Sequence, residues 1–95
     1  MFRITKAFQN QSTFIYRIEG QVADDNLESW TREMMALSPS HGHQVILDFS
    51  RVWSINQAAL KVLLTLMQED IFVLNCGMEV RNILHASGFS SKVLE

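Results

Sequence analysis

Two apolar runs, each as long as a short strand, flank an apolar helical segment in the second half of the chain. The first run is Val-Ile-Leu-Asp-Phe at residues 45–49, and the second is Ile-Phe-Val-Leu-Asn-Cys at residues 71–76. Runs of this kind are typical of parallel strands that are covered on both faces. The segment between them, residues 58–68, has the composition of a helix. A strand, a helix and a strand in this order predict parallel neighbours joined by a right-handed crossover.

The amino-terminal part of the chain predicts a β-hairpin. Residues 2–9 and 12–20 are rich in Phe, Ile, Thr and Tyr, which favour strands. Asn10-Gln11 is a plausible tight turn between them, and Gly20 is expected to end the second strand. Two strands joined by so short a link are expected to pair antiparallel.

An amphipathic helix is predicted next. Asp24 or Asp25 can cap its start, and Asp25 with Glu28 three residues later resembles a capping box. Apolar residues then recur at helical spacing and predict the buried stripe. This stripe consists of Leu27, Trp30, Met34 and Leu37.

A third helix is expected to open at residues 77–79, and Gly88 lies where a left-handed residue ends a helix. Residues 89–95 then predict a short last strand. The element order is β-β-α-β-α-β-α-β. It predicts an α/β fold with a single, mostly parallel sheet, an antiparallel N-terminal strand and helices packed against the sheet. Residues 1–95 are enough for one domain.

Composition narrows the function classes. The formal net charge is -2 and the basic residues are scattered, which argues against a nucleic-acid partner. The longest apolar runs fall far short of the roughly 20 residues that span a bilayer, so no direct membrane insertion is predicted. A single cysteine, Cys76, excludes an internal disulfide and fits a cytoplasmic location.

The usual signatures of catalysis and cofactor binding do not occur. The sequence has no phosphate-binding glycine loop, no nucleophile elbow and no paired-cysteine motif, so no catalytic residue, cofactor or enzymatic activity is predicted. His41 and His43 have no further ligand close by in sequence, and we predict no metal site there. His85, in the last turn of its helix, and Asp48, at a strand end, are expected to have structural roles.

The two tryptophans are expected to differ. Trp30 falls on the apolar stripe of the first helix and is predicted to be core. Trp53 is expected in a loop between strand and helix, where it either caps the core or anchors a partner. The sequence leaves both interpretations of Trp53 open.

Residues 46–66, Ile-Leu-Asp-Phe through Leu-Leu-Thr-Leu, resemble the signature region of STAS domains. This module is shared by anti-sigma-factor antagonists and the cytoplasmic tails of sulfate transporters. Residues 47–50 match the end of the family's strand, Val52 matches a following valine, and Leu60 matches the leucine after a glycine. Residues 75–89 are similar to the family's next strand end, short helix and terminal glycine.

The main departure from the family pattern falls at the start of the second helix. The family has Asp-Ser-Ser-Gly where this chain has Asn56, Gln57, Ala58 and Ala59. In the antagonists the second serine is phosphorylated, and its equivalent here is Ala58, which has no hydroxyl group. The resemblance therefore implies a domain that is not controlled by phosphorylation at this position. Asn56 can still cap the helix.

The resemblance implies a non-catalytic regulatory module that binds a protein, in transcription regulation and bacterial signalling. The partner would be an anti-sigma factor kinase or a transporter subunit, and a homodimer through exposed apolar area is a further expectation. The predicted partner-binding residues are Trp53, Ser54, Asn56, Gln57, Ala58 and Lys61.

The alternative is a small-ligand or nucleotide sensor, or an accessory subunit of an ABC-type lipid transporter. Backbone amides at the start of a helix can hold an anion such as a nucleotide phosphate. Residues 56–58 would supply those amides here. The segment has neither glycines for close approach nor a nearby cluster of basic residues.

Overall fold

The computed structural model describes residues 1–37, 43–67 and 70–94. The order of strands and helices agrees with the prediction. The elements, with two short 3-10 turns in parentheses, are β1 (Phe2–Gln9), β2 (Thr13–Val22), (Asp24–Asn26), α1 (Leu27–Ala36), β3 (Gln44–Ile55), α2 (Gln57–Leu66), β4 (Ile71–Leu74), α3 (Met78–Ala86), (Ser90–Lys92) and β5 (Val93–Leu94).

The five strands form one sheet in the order β1-β2-β3-β4-β5. β1 and β2 are antiparallel, and the other three neighbouring pairs are parallel. The predicted turn between β1 and β2 is held by the side chain of Asn10. Its Oδ1 accepts hydrogen bonds from the backbone N–H groups of Ser12, at 2.8 Å, and Thr13, at 2.7 Å. These findings confirm the predicted fold class.

The helices of the described chain lie on one face of the sheet. In a sheet of consecutive order, each right-handed crossover moves the chain one strand in the same direction, so every crossover helix falls on the same side. The strand residues at the centre of the face that these helices cover are almost completely buried. They are Ile18, Val22, Val45, Leu47, Phe49, Ile71 and Val73.

The expectation that residues 45–49 are covered on both faces is therefore wrong. Ile46 and Asp48 alternate with the buried residues of β3 and are only half-buried. Ile46 is not among the apolar side chains that pack against the core. An apolar run does not by itself show that both faces are covered. On an open face the side chains of neighbouring strands contact each other, so an apolar residue can lie there without a helix over it.

The predicted stripe of α1 is confirmed, but the predicted cap is wrong. Trp30 and Met34 are fully buried, and the two terminal leucines of the stripe pack against the core. Asp24 and Asp25 lie in a 3-10 turn, and Asn26 occupies the N-cap position of α1. Asn26 accepts a hydrogen bond from the N–H of Ala23 at 2.8 Å and donates one to the carbonyl oxygen of Gln21 at 2.9 Å, so it holds this turn instead.

Gly20 does not end β2, which continues to Val22. Its φ of +104° is one that residues with a side chain rarely adopt, and a Cβ at this position would overlap the carbonyl oxygen of Met1. Glycine therefore allows β1 and β2 to approach closely while the strand continues.

The carboxyl-terminal elements agree with the prediction in order but not in where the last strand begins. Gly88 has a φ of +87° directly after α3, which confirms the predicted helix end. The last strand starts later than predicted, because residues 90–92 form a 3-10 turn, and among the described residues of this segment Val93 and Leu94 pair with β4.

Candidate functional site

Trp53 lies within β3 and not in a loop, which corrects the expectation from sequence. β3 continues along β2 through the segment predicted as a turn, with Val52 opposite Gly20 and Ile55 opposite Val22. Val52 and Ile55 pack against the core, and their burial extends the strand. The register shifts twice along this stretch, so β3 is irregular beyond Asp48.

β3 extends beyond the end of β4, and this difference opens a groove at the carboxyl edge of the sheet. β4 stops at Leu74, and Asn75 turns the chain with a φ of +57°. The groove has a volume of about 340 Å³ and is lined by residues 49, 52–55 and 77–80. Two large apolar side chains stand exposed on it: Trp53 is 74% exposed and Met78 is 75% exposed.

The exposure of Trp53 decides between the two interpretations of this residue, a cap on the core or an anchor for a partner. Its side chain is not among those packed against the core, so the interpretation that it caps the core is wrong. Partner anchoring by Trp53 stays a prediction. The prediction that Trp30 belongs to the core is confirmed.

The start of α2 is capped by Asn56, as expected. Its side-chain Oδ1 accepts a hydrogen bond from the backbone N–H of Ala59 at 2.9 Å. Its own backbone N–H donates to the carbonyl oxygen of Val22 at 3.0 Å, which fixes the helix start to the end of β2. One of the unpaired N–H groups at the helix start is thus satisfied within the chain.

Asp24 lies beside this cap. The Nδ2 of Asn56 donates a hydrogen bond to Asp24 Oδ1 at 2.8 Å. This places a carboxylate at the amino-terminal end of α2, where the partial positive charge of the helix favours an anion. Sequence reasoning missed this contact because the two residues are separated by 32 positions.

Ala58 and Ala59 differ in burial. Ala58 is half-buried, whereas Ala59 is fully buried. The indole Nε1 of Trp30 donates a hydrogen bond to the carbonyl oxygen of Ala59 at 3.0 Å. The hydrogen bond from Trp30 therefore fixes the buried side of the first turn of α2 to the core. Residue 58 lies at the border between core and surface.

A second groove runs between α2 and α3 and adjoins the predicted residues. It has a volume of about 240 Å³ and is lined by Gln57, Leu60, Lys61, Leu64 and Ile83. Gln57 and Lys61 are exposed on its rim. Met78, Leu64 and Ile83 were not among the site residues predicted from the sequence. The position of Met78 at the start of a predicted helix, next to the end of a strand, could have placed it at this edge of the sheet.

The remaining polar candidates have structural contacts. Asp48 accepts a hydrogen bond from the N–H of Ser50 at 2.9 Å and lies 3.9 Å from Arg17. His85 Nδ1 lies 2.6 Å from Ser90 Oγ. His43 stacks on Phe14 with ring centroids 4.9 Å apart, and His41 lies outside the described residues.

Within residues 1–37, 43–67 and 70–94, no three His, Cys, Asp or Glu side chains are grouped closely enough to hold a metal ion. In the same part of the chain, none of the helices combines the length and the apolar character needed to span a bilayer.

Comparison with solved structures shows the same fold in bacterial regulators. The unphosphorylated form of the anti-sigma factor antagonist SpoIIAA is 17% identical, with a TM-score of 0.69, and the match covers 99% of this chain and 86% of that one. An anti-sigma factor antagonist from Mycobacterium paratuberculosis is 13% identical, with a TM-score of 0.77 and the same coverage of both chains.

A transporter also contains this fold. The murine anion transporter Slc26a9 is 20% identical over 93% of this chain, with a TM-score of 0.69, and the match covers 17% of the transporter. A search of curated protein sequences finds no significant match. The family model of the STAS domain matches residues 5–94, which is nearly the whole sequence. The chain therefore belongs to the STAS domain family.

Proposed function

We propose that this chain is a non-catalytic regulatory module that binds another protein at the carboxyl edge of its sheet. We call the end of β3 and the start of α2 the docking surface. It consists of Trp53, Ser54, Asn56, Gln57, Ala58 and Lys61. The partner we propose is an anti-sigma factor of the kinase type or a subunit of a transporter.

The observation that carries this proposal is the exposure of Trp53 beside a groove. A tryptophan side chain that is 74% exposed keeps a large apolar area in water. Met78 on the opposite wall is equally exposed, so the two side chains form one apolar site across the groove of about 340 Å³. Tryptophan anchors that fill a partner's pocket are among the residues that contribute most to protein–protein affinity.

The start of α2 supports binding without a phosphorylation switch at residue 58. Alanine cannot accept a phosphate, and the Asp24 carboxylate already lies at this end of the helix through its hydrogen bond to Asn56. The Asp24 carboxylate is part of the chain, so its presence at this site does not depend on a kinase or a phosphatase. We propose that control comes from the abundance of the chain, from a ligand or from another site.

The same geometry disfavours a nucleotide sensor at the helix start. Asn56 occupies the N–H of Ala59, which a phosphate would need, and Asp24 would repel an added anion. Lys61 is the one basic residue of the docking surface. Binding of a protein therefore fits this surface better than binding of a free phosphate group.

Both partner classes in the proposal are protein partners, and the matched structures support each in part. The SpoIIAA and mycobacterial structures are described as anti-sigma factor antagonists, and the murine match is an anion transporter. These structures are less than 25% identical to this chain, so the similarity shows a shared fold. The class of partner is our proposal.

The test is capture of the partner by three matched forms of the chain. The wild type, Ala58→Arg and Met35→Arg are immobilised and incubated with lysate of the source organism, and bound proteins are identified by mass spectrometry. Ala58→Arg adds a large charged side chain to the docking surface. Met35→Arg makes a similar change at a residue of α1 that is 60% exposed and outside this surface, so it is the control.

The proposal expects an anti-sigma factor or transporter subunit to be retained by the wild type and by Met35→Arg and lost with Ala58→Arg. Equal retention by all three folded forms would show that the partner binds elsewhere. The alternative is tested with a thermal-shift screen of nucleotides and lipids, since a ligand that binds only the folded state raises Tm. A saturable shift with a nucleotide would favour the sensor instead, and Asn56→Ala, which frees the N–H of Ala59, should then enlarge that shift.

A further inference from the structure

The face of the sheet opposite the helices carries apolar side chains that take no part in the core. In a strand, alternate residues point to opposite faces, and paired residues on neighbouring strands point to the same face. The apolar residues of this open face are half-buried, except Phe8, which is 47% exposed, and none packs against the core. They are Phe8, Ile15, Ile46, Phe72, Leu74 and Leu94.

Four of these side chains form a continuous row across four strands. Phe8 of β1 is opposite Ile15 of β2, Ile15 is opposite Ile46 of β3, and Ile46 is opposite Phe72 of β4. With about 4.8 Å between strands, the row extends for about 14 Å. At its end the Lys92 ammonium lies 4.7 Å from the centroid of the Phe72 ring.

Two charged rows follow the apolar row along β2 and β3. Arg17 of β2 is opposite Asp48 of β3, with 3.9 Å between Arg17 Nε and Asp48 Oδ2. Further along, Glu19 of β2 is opposite Arg51 of β3, with a hydrogen bond of 3.1 Å. The sign of the charge thus alternates both along each strand and between the two strands.

We propose that the open face binds a second copy of this chain, related by a two-fold axis that runs parallel to the strands between β2 and β3. A two-fold rotation about this axis places β2 of one copy over β3 of the other and β1 over β4. Each row then lies against the same row of the second copy. Ile15 contacts Ile46 of the second copy, and Phe8 contacts Phe72 of the second copy.

The charged rows are complementary under the same rotation. Arg17 faces Asp48 of the second copy, and Glu19 faces Arg51 of the second copy, so opposite charges meet in both rows. An isologous interface needs such self-complementarity. With the strands of the two copies running in opposite directions and the two apolar rows in contact, the charged rows of the two copies would lie on opposite sides of the apolar row and would not meet.

The area of the face is sufficient for a modest dimer. The four strands that overlap under this rotation, β1 to β4, have an average length of 8.5 residues. At about 4.8 Å spacing they outline about 500 Å² per copy, or about 1,000 Å² in total. This lies at the lower end of specific interfaces, so we expect a dimer that dissociates on dilution. The helix α2 lies on the other face of the sheet and stays available to a partner.

The first experiment measures mass by sedimentation over a concentration series up to the millimolar range. The wild type is expected to change from one chain to two, whereas Ile46→Lys, at the centre of the apolar row, stays monomeric. The control Met35→Lys adds the same charge on the helix face and dimerises like the wild type. A monomeric wild type over the whole series would overturn the proposal, as would an unchanged dimer of Ile46→Lys.

The second experiment tests the axis itself. Glu19→Lys places a lysine against Arg51 of the second copy, and Arg51→Glu places a glutamate against Glu19, so each variant alone is expected to dimerise at least about tenfold more weakly.

In an equal mixture of the two variants, opposite charges meet again. The introduced lysine of one variant would face the introduced glutamate of the other, and the unchanged Glu19 and Arg51 would also meet. Heterodimers are therefore expected only in the mixture. If the mixture stays as monomeric as the separate variants while circular dichroism shows both are folded, the proposed axis is wrong.

Discussion

The indole N–H of Trp30 in α1 donates a hydrogen bond to the carbonyl oxygen of Ala59 in the first turn of α2, at 3.0 Å. Both residues are fully buried. The start of α2, where the docking surface is proposed, is thus held in place by a core residue from another helix. Edge-to-face contacts of Trp30 with Phe2, at 5.5 Å, and with Phe49, at 6.5 Å, fix the ring itself.

Replacing Trp30 with phenylalanine should destabilise the fold by about 1–3 kcal/mol. The change removes the hydrogen bond to Ala59 and leaves unfilled volume in the core. Urea denaturation of the wild type and of Trp30→Phe measures the free energy of unfolding. Trp53→Phe is the matched control and should change it by less than about 0.5 kcal/mol, since Trp53 is mostly exposed. Equal losses in both variants would contradict the structural role assigned to Trp30.

Replacing Asn56 with aspartate should destabilise the chain even though aspartate caps helices well. The variant retains the acceptor for the N–H of Ala59 but loses the donor to Asp24 and places two carboxylates side by side. We expect a loss of about 0.5–1 kcal/mol at neutral pH.

The double variant Asn56→Asp with Asp24→Asn exchanges the two side chains and should recover most of this stability. A double-mutant cycle by chemical denaturation measures the coupling between the two positions. Additive effects of the two substitutions would show that the observed hydrogen bond contributes nothing.

Gly20→Ala should be more destabilising than Gly88→Ala, although both glycines have positive φ angles. At Gly88 no atom lies within contact distance of an added Cβ, so the cost is backbone strain of about 1–2 kcal/mol. At Gly20 the added Cβ would also overlap the Met1 carbonyl, and β1 would have to move. Thermal unfolding of the two variants gives the order of Tm directly, and the reverse order would contradict the close approach of β1 and β2.

The fluorescence of the two tryptophans should respond differently to a soluble quencher such as acrylamide. Trp53 is expected to be quenched readily and Trp30 to be protected, because the first is 74% exposed and the second is fully buried. Trp53→Phe should therefore remove the accessible fraction of the emission. A protein whose emission is quenched uniformly, with no change in this variant, would contradict the placement of Trp53.

The fold could be predicted from the sequence because apolar periodicity and element order are local signals. The strand run at residues 45–49 and the stripe containing Trp30 and Met34 both appear in the structure, and Gly88 ends α3 as expected. The position of Asn56 as a helix cap was also predictable, since a cap depends on residues within one turn.

The features that escaped prediction depend on contacts between distant residues. Trp53 resembles part of a loop in the sequence because the segment around it lacks regular alternation, yet its pairing with β2 extends the strand. The contact between Asn56 and Asp24 joins positions 32 residues apart. The open face escaped notice because residues 45–47 lack the alternation of apolar and polar residues that usually marks a strand with one open face, although Ile46 lies on that face.

The parallel pairing of β2 and β3 has a consequence for the rate at which this protein folds. The pair begins with Thr13 opposite Gln44, so it joins parts of the chain 31 residues apart, whereas β1 and β2 are linked by three residues. Chain entropy makes such distant pairings slow to form compared with a hairpin. Since Trp53 and the start of α2 take their positions from that pair, a newly synthesised chain should acquire its hairpin first and its ability to bind a partner last.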